Sequence, residues 1–587
     1  MADWFLIRKG GDYAEIGRRH HISPVIARLM KNRGIESDED IEHYLHGGMD
    51  LLHDPALLDG MDECAGRLLK AIDEGRRIRV IGDYDIDGVT ATAILIKGIK
   101  ALGGDPDARI PHRVRDGYGM NCDMIREAAS EGIELIVTCD NGIAAREEAK
   151  LAEELGIGLL ITDHHEIPYE ETDGVRHYLI PHALAVVDPH LPGSEYPFPG
   201  ICGGFVAFKL IQRCFAIKNA GMETALKETL IQLAAFATVG DIMELKDENR
   251  ILVKEGLKLM TQRPAPGLAE LISVLGLSDK EINAYHLGFM LGPCINASGR
   301  IDTALRALDM LTTDNTVEAM RLAGELKELN ESRKTLTEQA TKEAVEQIER
   351  GDHDGCKVYV IYLRECHESI AGIVAGRIRE RYYHPTLIVT AGEEGLKGSA
   401  RSIEAYHMYD AMTEVADVFT KFGGHSQAAG FSLPEDKLDE LRRRLNENCR
   451  LTESDFSEHI SIDLELPLRY ATAGLVEELK LMEPCGNGNT KAVIARAGLK
   501  LKGINPVGKE AKLCLLNVED ENSSYELKAF FKTDAIKKYI EDRYGNDVLN
   551  ELLQGRGEGV TFSVIYKPDL NSYNGRTTLQ LVVEDFK

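Results

Sequence analysis

Ile81-Gly82-Asp83-Tyr84-Asp85-Ile86-Asp87-Gly88 joins the short apolar run 78–81 to the apolar stretch 89–102. The run before it is the length of a buried strand, and the stretch after it has the length and composition of a helix. Gly82 and Gly88 permit the tight turns that a strand-to-helix loop needs. Three aspartates within five residues are hard to place in an apolar core, because each raises the pKa of the others unless a counter-charge is present. A divalent cation supplies that charge. In open α/β sheets ligands bind beyond the carboxyl ends of the strands, where this loop would lie. A Gly/Asp turn that binds only solvent is the plain alternative for the segment taken alone.

The pattern repeats downstream. Helical stretches at 63–74, 124–131 and 144–155 alternate with apolar runs at 134–138 and 158–162, and Val186-Val187 ends a further strand. Short loops between strands and helices predict an α/β domain with a covered parallel sheet. Asp140 follows the run in LIVTCDNGI, and Asp163-His164-His165 follows the run in LLIT. Three strand ends therefore present carboxylates, the last with an imidazole pair. Oxygen ligands with imidazole suit Mn²⁺ or Mg²⁺, and zinc is not excluded by ligand type. Two such ions about 3.5–4 Å apart can clamp a phosphoryl group.

Beyond residue 201 the chain reads as mostly helical, with a breaker cluster Arg263-Pro264-Ala265-Pro266-Gly267. Residues 311–350 are polar with apolar positions recurring every three and four residues, which predicts one long connecting helix or two surface helices. A second α/β unit follows: strands at 358–362 and 386–390 around a helix at 370–382. After residue 446 alternating segments such as SIDLELPL, AKLCLLNV and TFSVIYK predict a small barrel or sandwich. The domain plan is an N-terminal extension (1–60), a catalytic domain (61–270), a helical connector (271–350), a substrate-binding domain (351–455) and a C-terminal β-domain (456–587).

The whole chain has 587 residues, too many for one ordinary core. Hydrophobic residues make up 43% and charged residues 28%, as in water-soluble globular proteins. The 11 cysteines include no CxxC pair, which argues for reduced thiols rather than a cysteine-held zinc. The first residues lack the apolar core of an export signal and no run approaches a membrane span, so a cytoplasmic location and no membrane partner are expected. A net charge of −27 argues weakly against nucleic acid, but a single strand needs only a local basic groove.

The motifs carry a resemblance to the DHH phosphoesterase superfamily, named for the triplet Asp163-His164-His165. Within it, the order of motifs is similar to that of the bacterial RecJ-type exonucleases. Supporting segments run from Gly82 through Val187-Asp188-Pro189-His190, GGFVAFKL (203–210), TVGDIMEL (238–245), LGPCINASGR (291–300), GSARS (398–402) and FGGHSQAAGF (422–431). The resemblance implies a parallel-sheet DHH domain, a long helix, an α/β DHH-associated domain and a C-terminal OB-like barrel. It implies two ions held by Asp83, Asp85, Asp140, His164 and Asp241, with Asp140 bridging. His165 would touch the scissile phosphate, Asp87 would steady its loop, and Asp163 would orient the histidines. Asp241 rests on the resemblance; by sequence it could simply start a helix. Arg300, Ser399, Arg401 and the run Gly423-Gly424-His425 would line a phosphate groove, the glycines leaving amides open to an anion. The implied activity is metal-dependent 5′-to-3′ hydrolysis of single-stranded DNA to 5′-mononucleotides in repair and recombination. A helicase and a single-strand-binding protein are candidate partners, and a monomer is expected. Tyr525, Phe530 and Phe531 are candidate base-stacking platforms, although alternating aromatics are more often core.

Two departures stand out. Ile81 occupies a position where relatives often carry a histidine, and it cannot ligate a metal. In Cys366-His367-Glu368-Ser369-Ile370-Ala371-Gly372, Cys366 replaces the usual Trp and Ser369 the usual Gly. The rival functions are a DHH enzyme for short RNA or cyclic dinucleotides, a pyrophosphatase and a noncatalytic nucleic-acid-binding scaffold. A nicotinamide enzyme is disfavoured because no GxGxxG turn opens the sheet.

Overall fold

The structure is a computed structural model that describes residues 2–113, 115–392, 395–508, 510–573 and 576–587. It divides into two compact units, residues 48–456 with 486–488, and residues 1–47 with 457–485 and 489–587.

In the larger unit, strands β1 (Ile78–Ile81), β2 (Pro106–Arg109), β3 (Leu135–Cys139), β4 (Gly158–Thr162) and β5 (Ala185–Val187) form one parallel sheet. Their order is β2-β1-β3-β4-β5. The chain runs from β1 outward to β2, then crosses back to β3 on the other side of β1. The gap between β1 and β3 is therefore the switch point, where loops diverge and leave a crevice. Helix α1 (Ile86–Ala101) is apolar nearly all round, so it is buried, packed against α2 (Gly203–Ile217) and α3 (Thr224–Gly240).

β2 has no sequence signal. Its residues are PDAR, a partly exposed edge held where the buried Arg79 of β1 pairs with Asp107. An exposed hairpin of Tyr169–Thr172 and Val175–Tyr178 is a further addition to the expected elements, although its Asp173-Gly174 turn, with φ of 53° and 75°, is a legible signal.

Helix α4 (Gly292–Ile301) leads through a further short helix to α5 (Thr316–Glu349). The connector is a single helix of 34 residues, roughly 50 Å long at 1.5 Å per residue. It starts at Thr316 rather than 311 because Asn315 accepts from the amides of Val317 and Glu318. The second sheet contains β6 (Tyr359–Tyr362), β7 (Thr386–Ala391), β8 (Leu396–Arg401), β9 (Lys421–Gly424) and β10 (Ala428–Leu433), in the order β9-β10-β8-β7-β6. Only β6 and β7 are parallel, with α6 (Glu368–Tyr382) as their crossover.

The smaller unit contains a closed barrel. Ile494–Val507, Leu513–Asp520, Ser523–Phe530, Arg576–Phe586 and Thr561–Tyr573 pair in that order, and the last pairs back to the first. This is the five-stranded OB arrangement. Residues 1–47 pack with it: Asp3–Leu6 pairs parallel with His459–Ile462, and Ile26, Leu29, Met30, Ile41 and Leu45 join the barrel's core. Tyr525 packs against that core, whereas Phe530 and Phe531 are exposed. Among the described residues no helix is long and apolar enough to cross a membrane.

Candidate metal centre and phosphate cleft

The loops after β1, β3 and β4 meet at the switch point. Asp85 caps α1, its Oδ1 accepting from the amides of Asp87 (3.0 Å) and Gly88 (3.1 Å). The turn is tight: a Cβ on Gly88 would stand 2.4 Å from the Asp83 nitrogen, so only glycine fits. Asp87 is buried and its two oxygens accept from Gly203 and Gly204 at 2.7 Å each. Two amides at the start of α2 thus hold a carboxylate of α1, a favourable use of a helix N-terminus.

Asp140 sits at φ 59° directly after β3, where the strand ends and the side chain is turned inward. His164 follows β4. Its Nε2 lies 3.1 Å from Asp140 Oδ1, 3.5 Å from Asp87 Oδ2 and 3.8 Å from Asp241 Oδ2. Asp241 does not begin a helix; it closes α3 at its C-terminus. Ligand atoms of Asp140, His164 and His165, and of Asp87, His164 and Asp241, each lie within 4.8 Å of one another. Asp83 and Asp85 stand outside both groups. Asp83 Oδ1 accepts from the Gly119 amide (3.1 Å), while its buried Oδ2 has no partner among the described residues.

Burial first, and then neighbouring carboxylates, push Asp83 and Asp241 up to about 8 and raise Asp87 and Asp140. Asp163 behaves oppositely. Burial opposes its charge, but hydrogen bonds from His165 Nδ1 (2.7 Å) and the Ile143 amide (2.9 Å), with the nearby imidazoles, keep its pKa low. Burial likewise opposes the charged form of His165, and the Asp163 bond and surrounding carboxylates outweigh it, raising the pKa to about 9.

Crowded, half-orphaned carboxylates around two imidazoles are a donor set that divalent cations fit: charge is neutralised and Asp83 Oδ2 gains a partner. Ile81 is wholly buried in a core cluster with Met120 and Ile136, so its position offers no ligand.

Three residues of the site lie outside the sequence expectations. Asn141 donates to the carbonyls of Ile81 (3.1 Å) and Cys139 (2.9 Å), tying the ends of β1 and β3 together. Tyr118 donates to the Asp140 carbonyl (2.7 Å) and stands 3.1 Å from His165 Nε2. Arg113 lies over the Tyr84 ring at 4.7 Å. The last two belong to the polar loop RVRDGYG after β2, a strand that itself lacks an apolar pattern.

On the second domain, Ser399 and Arg401 lie on β8, with Arg401 Nη1 3.4 Å from Ser399 Oγ. A Cβ on Gly372 of α6 would stand 2.8 Å from Ser399 Oγ and 3.0 Å from Arg401 Nη2, so glycine permits this approach. Arg300 of α4 donates to the Ser369 carbonyl at the start of α6 (2.6 Å). Burial, then the charges of Arg113, Arg333 and Arg401, push Arg300 down to about 9. The register places Gly424 beside Ala429 and Arg401 beside Ala428, at one end of the sheet. The glycine run is the limb of a hairpin rather than an open nest of amides: the His425 amide donates to the Ala428 carbonyl (2.8 Å). Gly423 faces open space and His425 is exposed. Cys366, at the Trp position, is buried in the core, and Ser369 Oγ lies 2.7 Å from His367 Nδ1.

A parallel sheet with carboxylates and paired histidines at its switch point, joined by a long helix to a domain carrying arginines, defines a divalent-metal phosphoesterase. Family models described as "DHH family, N-terminal domain", "DHHA1 domain" and "RecJ OB domain" match residues 77–238, 355–451 and 462–585. The chain belongs to the RecJ family. It is 34% identical over 569 residues to the single-stranded-DNA-specific exonuclease RecJ of Bacillus subtilis (strain 168), covering 96% of this chain and 68% of that protein. It is also 34% identical over 481 residues to that of Dickeya dadantii (strain 3937), covering 79% and 81% respectively. A crystal structure of RecJ in complex with Mn²⁺ from Thermus thermophilus superposes with a TM-score of 0.80 at 26% identity, covering 100% of this chain and 79% of that one.

Proposed function

We propose that this protein is a metal-dependent exonuclease that hydrolyses single-stranded DNA from the 5′ end and releases 5′-mononucleotides. The observation that carries the metal centre is His164 Nε2, reached within 3.8 Å by carboxylates from three separate elements, Asp87, Asp140 and Asp241.

Two ions, Mn²⁺ or Mg²⁺, would be held by Asp83, Asp85, Asp140, His164 and Asp241. Such ions supply Lewis-acid charge neutralisation at a phosphoryl group and lower the pKa of water. Asp87 fixes the α1 turn to α2 and orients His164. Asp163 holds the proton of His165 at Nδ1, which leaves Nε2 to the substrate phosphate beside the Tyr118 hydroxyl. Arg300 and Arg401, with Ser399, Gly423 and His425, bind non-reacting phosphate, and Gly424 shapes their hairpin. Arginine forks suit phosphate oxygens. The barrel fold is one that takes single strands by backbone charge and stacking, and Phe530 and Phe531 are its exposed candidates.

The protein is inferred to act in the cytoplasm as a monomer, in DNA repair and recombination, after a helicase and alongside a single-strand-binding protein. A time course with Mn²⁺ on 5′-labelled single-stranded DNA, with RNA, duplex and cyclic dinucleotide as comparisons, tests it. Labelled mononucleotide should appear first from single-stranded DNA. Loss from the 3′ end alone, or faster cleavage of cyclic dinucleotide, would overturn it.

A further inference from the structure

Helix α3 ends in the turn that presents Asp241, which is its C-cap. The Met243 amide donates to the Thr238 carbonyl (3.1 Å) and the Ile242 amide to the Val239 carbonyl (3.2 Å). These two bonds form a Schellman ending, in which the residue after the cap turns left-handed and is ordinarily glycine. Here that residue is Ile242, at φ 57°. A β-branched side chain suits the region poorly, because its Cβ crowds the following carbonyl. Packing does not compensate, since Ile242 is 71% exposed. Backbone strain of this kind persists where the surroundings over-determine it, and it gathers at functional sites.

Residues 486–488, far away in sequence but part of the same compact unit, supply that constraint. Asn487 Nδ2 donates to the Ile242 carbonyl (2.9 Å), and the Asn487 carbonyl accepts from the Leu245 amide (2.8 Å). One residue thus bonds to the turn at two points. Its flanking glycines allow the close approach. A Cβ on Gly486 would stand 2.7 Å from Leu245 Cδ1, and one on Gly488, at φ 69°, would stand 3.0 Å from Glu244 Cβ. The Glu244 carbonyl is held separately by Asn249 Nδ2 (3.0 Å), so the Asn487 side chain acts on the part of the turn next to Asp241. If Ile242 relaxed, the two capping bonds would break and the last turn of α3 would fray. The Asp241 carboxylate, 3.8 Å from His164 Nε2, would then lose its fixed position.

We propose that Asn487 is a positioning residue of the metal centre: it clamps the strained Ile242 turn and so fixes the Asp241 carboxylate for a divalent ion. This rests on the assignment of Asp241 as a metal ligand and deepens it, through a residue whose hydrogen bonds go to backbone groups of the turn. The role of Asn487 exists because of Ile242. Glycine at 242 would adopt the left-handed conformation without strain and would need the clamp less.

The test is calorimetric Mn²⁺ titration of the full chain, beside denaturant unfolding of the metal-free protein. N487A should weaken Mn²⁺ binding by about tenfold, the lower end of what partners of metal ligands contribute. Its metal-free unfolding midpoint should stay near that of wild type, and saturating Mn²⁺ should restore kcat. In an I242G background the same substitution should cost less than about threefold, the coupling expected of two residues that act on one turn. Unchanged Mn²⁺ affinity in N487A, an equal loss in both backgrounds, or a loss matched by a fall in the unfolding midpoint would overturn the proposal. A D241A variant that binds Mn²⁺ like wild type would sink the ligand assignment instead. Weakened binding in D241A beside an indifferent N487A would sink the clamp alone.

Discussion

Asp163 Oδ1 and His165 Nδ1 lie 2.7 Å apart, and this contact leaves His165 Nε2 beside the Tyr118 hydroxyl, 3.1 Å away. The same carboxylate accepts the amides of His164 (2.8 Å) and Ile143 (2.9 Å), so it also shapes the loop after β4. Asp163→Asn keeps the shape but removes the charge that stabilises the imidazolium. Partners of this kind are worth about 10–100-fold in metal affinity or activity. The variant should lose activity in that range, with the larger part in kcat, and the descending limb of its pH profile should move to lower pH. An unchanged profile would argue against His165 acting as a cation.

Asp140→Ala removes the carboxylate nearest His164 and should reduce Mn²⁺-dependent cleavage by more than about 100-fold, beyond the usual cost of an outer partner. Calorimetric Mn²⁺ titration should show weaker binding together with the fall in activity. Normal cleavage at saturating Mn²⁺ would remove Asp140 from the metal centre.

Metal-free protein should become less stable as pH rises. Asp83 and Asp241 titrate near 8 in the fold but near 4 when unfolded, about 3.9 for a free Asp. The folded state therefore holds protons that the unfolded state has released between those values, so stability falls across that window. Divalent ions need the carboxylates ionised, so their affinity should rise with pH toward 8 with proton release. Thermal melts should show a Mn²⁺-induced gain larger at pH 8 than at pH 5; equal gains would contradict the assignment.

Gly203→Ala tests the packing beneath the site. Its Cβ would stand 2.7 Å from Asp140 Cβ and 2.9 Å from Asp140 Cα, an approach that forces backbone movement. Overpacking of this kind costs about 1–3 kcal/mol. The amide that holds Asp87 and the Asp140 backbone should shift together, so activity should fall further than stability. Denaturant unfolding and single-strand cleavage measure the two effects.

Lys209→Met removes the cation of the buried Glu248 and leaves that carboxylate only the Tyr196 hydroxyl and the His53 amide among the described residues. The two side chains form a 2.8 Å ion pair at 0% exposure. Breaking one partner of a buried pair costs about 3–5 kcal/mol. Double replacement by apolar residues should recover most of that loss. A single variant as stable as wild type would mean that the pair is hydrated in solution.

Much of the site is legible in the sequence because its residues sit at strand ends in short motifs. Asp140 and Asp163-His164-His165 follow apolar runs whose period and length mark buried strands. Arg113 and Tyr118 are not legible, because they follow β2, whose PDAR has no apolar pattern; an edge strand half open to solvent needs none. Gly203 and Gly204 are visible as a motif but not as amide donors to Asp87, since those hydrogen bonds join positions 116 and 117 residues apart. The partnership of residues 1–47 with the barrel is invisible for the same reason.

Local sequence determined the buried strands β1, β3 and β4, the turns that follow them and the chemical type of the site: apolar runs must be buried, and clustered carboxylates at their ends need a cation. Tertiary structure alone decided which carboxylates meet His164, and that the His425 amide is spent within a hairpin. Those outcomes depend on helix packing and strand register between distant segments, and no spacing along the chain encodes the distance at which two side chains come to rest.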